Sequence, residues 1–149
     1  MQVLQVIYIL LAMVIFAAVL IWAVEKDFKK WVAGKAVDHN KGWLIRAALL
    51  SPTIILLIAA QPLQGFWHTL FVIIDSCAVV AFLWWFLFDG LYNNRRDYNW
   101  WFIGSFNDAG HPDAKSDEFL NRFELWQQIL IKVFMIIAST GIYILLFIK

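Results

Sequence analysis

From Val3 to Val24 the chain runs for 22 residues with Gln5 as its only strongly polar side chain. As a helix rising about 1.5 Å per residue, such a run reaches roughly 33 Å, enough to cross the ~30 Å hydrocarbon layer of a bilayer. Three further apolar stretches follow, at residues 43–60, 66–88 and 126–148. Composition closes off the alternatives. Of 149 residues, 62% are hydrophobic and 15% charged, against about 45–50% and 25% in soluble domains. So small a globule could not hide this much apolar surface from water, and a chain this apolar does not stay solvated as a disordered coil. The expected fold class is all-α. It is a polytopic integral membrane protein, a single transmembrane domain over residues 1–149, built as a four-helix bundle with a small cytoplasmic cap.

The first run does not read as a cleaved leader. No Lys or Arg precedes it, it is too long, and Trp22-Ala23-Val24-Glu25 lacks a small-x-small pattern. A retained span over about 3–24 is expected. The second stretch, 43–60, contains Arg46, Ser51 and Pro52. Arg46 lies within a turn of its start and is expected to snorkel to the headgroups, and Pro52 to kink the helix. A buried re-entrant element is the rival for this segment.

Two hydrophilic connections, 25–42 and 89–125, separate the spans, and four spans place both on one side. That side holds ten of the twelve Lys and Arg residues once Arg46 is included, whereas the turn at 61–65 holds none. The positive-inside rule puts this face in the cytoplasm and both termini outside, in a plasma or bacterial inner membrane. Trp22, Trp43, Trp84, Trp85 and Trp126 mark the cytoplasmic ends of the four spans, the depth that indole rings prefer.

Phe28, Trp31, Val32 and Lys35 recur at helical spacing, so the first helix is expected to continue beyond the membrane. The longer connection carries Tyr92, Tyr98, Trp100, Trp101, Phe102 and Phe106, which suggests a segment lying on the bilayer surface or folded against the basic loop. Ser116, Asp113 and Asp117 are candidate caps of a helix leading into the last span.

Asp75 stands near the middle of the third span, where an acid is costly and is expected to face the bundle or a wet cavity. His68 shares its face but lies two turns away, about 10 Å. Ser51, Thr53, Ser139 and Thr140 occur at comparable depth as possible hydrogen-bonding partners. Lys132 is expected to snorkel outward or to reach Asp75. A packing-specific polar cluster competes here with a proton or ion relay.

At the cytoplasmic rim, Asp89, Asn93 and Arg96 share a face if the third helix continues past Phe88, with Arg95 beside them. They form either an Asp–Arg network or a site for lipid phosphate or a phosphorylated ligand, which guanidinium groups hold bidentately. His111, Asp113 and Asp117, with His39 from the other loop, are the nearest approach to a metal set. Imidazole with two carboxylates suits zinc, iron or manganese, while a solvated turn around Pro112 is the simpler alternative. Three histidines are too few for a histidine-rich di-iron membrane oxygenase. Cys77 is the only cysteine, so no internal disulfide forms.

Asp89-Gly90, Arg95, Gly104 and Asp108 are spaced in a way that partly resembles the signature of the CDP-alcohol phosphotransferases. In that family, aspartates hold divalent metal around the diphosphate of a CDP-lipid. Here Asn93-Asn94 replaces the Ala-Arg of the pattern and its last aspartate falls on Pro112, with Asp113 one residue later. Those enzymes usually have more spans, with the motif inside helices. The likeness assigns no family. No Gly-rich phosphate loop, His-Glu-x-x-His or nucleophile elbow occurs.

These features point to a small inner-membrane protein acting as an interaction or accessory subunit, or as an oligomeric, holin-like permeability element. The competing class is a small membrane enzyme acting on a phosphate-containing lipid or ligand at the cytoplasmic interface, with His111, Asp113 and Asp117 as its catalytic candidates. Expected partners are membrane lipids, anionic headgroups included, and further copies or another membrane protein. Neither nucleic acid nor a cofactor is expected.

Overall fold

In a computed structural model describing residues 3–34, 39–96, 100 and 123–148, the chain is all-α. The described residues form four helices, α1 (Val3–Val32), α2 (His39–Ala59), α3 (Gly65–Arg95) and α4 (Leu125–Ile148). The first runs well beyond the apolar stretch, as the spacing of Phe28, Trp31 and Val32 implies. It stops where Gly34 takes a left-handed φ of 63° and donates to the Trp31 carbonyl at 2.9 Å. Gly tolerates that conformation without steric cost. Lys29 and Lys30 in the last turn face the negative end of the helix dipole.

α2 carries Pro52 in its interior. A proline at 52 has no N–H for the Ala48 carbonyl four residues back. Ser51 replaces it, its Oγ donating to that carbonyl at 2.8 Å. At the end of α2, Pro62 leaves the Ile58 carbonyl without its helical donor, and the Gln61 N–H turns to it at 3.1 Å. The Leu57 carbonyl is thereby released, and the Tyr143 hydroxyl of α4 donates to it at 2.8 Å. Gln61 completes the junction by donating from Nε2 to the Tyr143 carbonyl at 3.1 Å. Pro62 thus sets where α4 fastens to α2.

α4 begins with one half of a capping box. The Glu124 N–H donates to Gln127 Oε1 at 2.9 Å, satisfying a donor that a helix start leaves open, and Gln128 Nε2 ties the preceding Phe123 carbonyl at 2.7 Å. The candidate caps Ser116, Asp113 and Asp117 lie outside the described residues.

The helices alternate in direction. Asp27 late in α1 meets Arg46 early in α2, and Asp89 late in α3 meets Lys132 early in α4. The chain therefore leaves α1 and α3 at one end of the bundle, and the Gln61–Tyr143 junction closes the other. The most extensive contacts are α1 with α2 and α3 with α4, joined by α2–α3 and α1–α3 packing. Ala12, Leu50, Leu57, Val79, Val80 and Tyr143 form the core, one or two from each helix.

Outside that core the surface is apolar over much of its area, with Leu10, Val14, Ile55, Phe134, Ile137 and Leu145 among many large exposed side chains. A surface of that kind is solvated by lipid, not water. α1, α3 and α4 are long and apolar enough to cross a membrane. α2 differs. Its apolar part, Leu44–Ala59, covers only about 24 Å, and it begins beside the charged end of the bundle.

Candidate functional site

Charged groups of all four helices gather at the end where α1 and α3 terminate. Arg46 donates to Asp27 in a pair that is almost fully enclosed. The same guanidinium lies over the Phe88 ring at 4.5 Å. Phe88 belongs to a ladder on α3, stacked on Trp84 at 5.4 Å and on Tyr92 at 5.7 Å, because offsets of four residues bring side chains together on a helix. Arg96 extends the stack, over Tyr92 at 5.2 Å and over Trp31 of α1 at 5.0 Å. Cations over aromatic faces gain from the ring quadrupole. Arg46 therefore does not snorkel as the sequence suggests; it turns inward, to an acid and a ring.

Lys132 is likewise turned inward. Its Nζ donates to Asp89 Oδ2 at 2.6 Å and sits over the Trp85 ring at 4.5 Å. The residue is 4% exposed, and its acid is Asp89, not Asp75. Arg95 pairs with Glu25 of α1 on the exposed side of the rim. Of the four candidates for phosphate, Asp89 and Arg95 hold counter-charges within the chain, Arg96 stacks on aromatics, and Asn93 is buried in α3. Gly90 is buried beneath the Trp100 indole, which a Cβ there would overlap.

His111, Asp113 and Asp117 lie outside the described residues, as does the side chain of His39. Among the described residues, no three His, Cys, Asp or Glu side chains come together in a set that could hold a metal.

A second polar feature lies within the apolar part of the bundle. Asp75 is 7% exposed, and its Oδ2 is buried with no hydrogen-bond partner. It lines a groove of about 330 Å³ between α3 and α4, together with Phe71, Ile74, Ala78, Ala138 and Ser139. The expected hydroxyl partners are engaged elsewhere or apart. Ser139 donates to the Ile136 carbonyl at 3.2 Å and Ser51 to that of Ala48. Thr53 is buried in α2 with its Oγ1 unpartnered. His68 serves the first turn of α3, its Nδ1 accepting from the Gln64 N–H at 3.3 Å. It is about 10 Å along the helix from Asp75.

Sequence reasoning did not find the groove, although a signal was present. The lining positions 71, 74, 75, 78 and 82 on α3 repeat the spacing of 135, 138, 139, 142 and 146 on α4, the i, i+3, i+4, i+7, i+11 pattern of one helix face. No protein-family model, no curated protein and no solved structure matches the chain.

Proposed function

We propose that this chain is a small accessory subunit of a plasma or bacterial inner membrane, acting by lateral association with another membrane protein. In the proposed topology both termini lie outside and the charged rim lies in the cytoplasm, following the excess of Lys and Arg at that end. The observation that carries the reading is the contrast between the two polar features. At the rim, cations of α2, α3 and α4 are held by acids of the same chain, an arrangement that fixes the bundle. Asp75, by contrast, has a buried Oδ2 without a partner, and the residue lines a groove whose edges, Phe71 and Ile74, are 59% and 56% exposed. A polar group at membrane depth marks function more often than packing when its own chain does not satisfy it. The centre of the bundle is filled by Ala12, Leu50, Val79, Val80 and their neighbours, so a permeability role would need a path between several copies, whereas accessory association needs only the groove.

Photo-crosslinking in native membranes tests this reading. A crosslinking side chain at Phe71 or Ile74 is expected to give one discrete protein adduct, and one at Leu10 or Val14 on the outer face of α1 only lipid adducts. Identical adducts from both faces, or lipid adducts alone, would remove the accessory role.

A further inference from the structure

We propose that the α3–α4 groove receives a membrane-spanning helix of the partner protein, and that this helix carries a Lys or Arg side chain at mid-membrane depth to pair with Asp75. The inference rests on the accessory reading and names the chemistry of the partner.

The shape of the groove comes first. Its two walls are matched stripes on neighbouring antiparallel helices, each running over twelve residues from first position to last, or about 16 Å of axis. That is three turns of apolar seam. Small residues, Ala78, Ala138 and Ser139, alternate with Phe71, Phe82, Met135, Ile142 and Leu146. Small side chains let a further helix approach closely in lipid, where packing and interhelical hydrogen bonds drive association. The large ones supply ridges for its grooves.

Charge narrows the occupant. Asp75 lies ten residues into α3, about 15 Å from that helix end and far from headgroup water. Lipid tails offer no donor to its unpartnered oxygen. A second copy of the chain brings no free Lys or Arg to this depth either. Within the apolar stretches 3–24, 43–60, 66–88 and 126–148 the Lys and Arg side chains are Arg46 and Lys132, which already hold Asp27 and Asp89. The donor comes from a different chain. A cation is the complement of choice because it favours the charged carboxylate and removes the cost of leaving an acid alone in hydrocarbon.

The test uses the full chain, carrying a fluorophore at its C-terminus, in vesicles of phosphatidylcholine with a minority of phosphatidylglycerol. The probes are two labelled Leu/Ala transmembrane peptides identical except for a central Lys or Leu. Energy transfer is expected to report about tenfold tighter association of the Lys peptide, the size of a good interhelical polar contact. Asp75→Asn should abolish the difference. Ala78→Phe, which keeps the acid but fills the floor of the groove, should lower binding of both peptides with helicity unchanged, and it stands as the test if Asp75→Asn fails to fold. Equal binding of the two peptides, or a Lys preference that survives in both variants, overturns the proposal. Self-association of the chain that the peptides compete away would assign the groove to a second copy and overturns it as well. If groove-specific protein adducts persist in native membranes while the peptides bind equally, the accessory reading stands and the cationic anchor alone fails.

Discussion

Lys132 Nζ lies 2.6 Å from Asp89 Oδ2, which fixes the axial position of α4 against α3 from inside the bundle. Lys132 is enclosed, whereas the Asp89 side chain is 31% exposed, so losing the lysine leaves the acid partly reachable by water. Breaking a fully buried pair costs about 3–5 kcal/mol; Lys132→Met should fall below that, at about 2 kcal/mol. Adding Asp89→Asn should recover most of the loss, because the unpaired charge is then gone. Unfolding of the purified protein in mixed micelles measures both, and a double variant no more stable than the single one contradicts the assignment.

At the opposite end, the Tyr143 hydroxyl answers a carbonyl that the turn at Pro62 sets free. Tyr143→Phe keeps the ring in the core and removes only the donor to Leu57. The expected loss is about 1 kcal/mol, within the range of single polar contacts between membrane helices. Tyr143→Leu should cost distinctly more, since it also opens a cavity beside Leu57 and Val80. Equal losses would mean that the hydroxyl contributes nothing.

The division of the chain into apolar segments is legible in the sequence because hydrophobic run length is a local property. So is the placement of Asp75 away from lipid, which follows from the cost of an acid in hydrocarbon. Which charge meets which is not local. Lys132 has Asp75 and Asp89 on the same neighbouring helix, and only the axial register of α3 against α4 selects Asp89. Asp27 reads as one charge of a hydrophilic connection, yet it is buried, because α1 continues as a helix and carries it back against Arg46. The groove escaped for the same reason, since two matched stripes become a groove only when the helices bearing them are neighbours.

Ser51 and Pro52 give a prediction that separates coupling from general damage. Ser51→Ala removes the donor standing in for the missing N–H of Pro52, and should cost about 0.5–1 kcal/mol. In a Pro52→Ala background the backbone N–H can reach the Ala48 carbonyl again, so Ser51→Ala should become nearly neutral. A double-mutant cycle on unfolding free energies reads the coupling directly. Additive losses would show that the Ser51 contact at 2.8 Å does not substitute for the helix hydrogen bond.

The membrane topology has a test that does not depend on which face is cytoplasmic. Gln61 Nε2 lies 3.1 Å from the Tyr143 carbonyl, so the turn at residues 61–64 and the C-terminal part of α4 belong to the same end of the bundle. Arg46, Arg95 and Lys132 stand at the other end with their acids. Compartment reporters inserted at residue 63 and fused after residue 149 should therefore give the same answer, and the positive-inside rule makes that answer external. A reporter at residue 36, between α1 and α2, should give the opposite one. If positions 63 and 36 report one compartment, α2 does not cross the bilayer. Its shorter apolar stretch, Leu44–Ala59, would then lie within one leaflet against α1, and the two ends of the bundle would no longer correspond to two sides of the membrane.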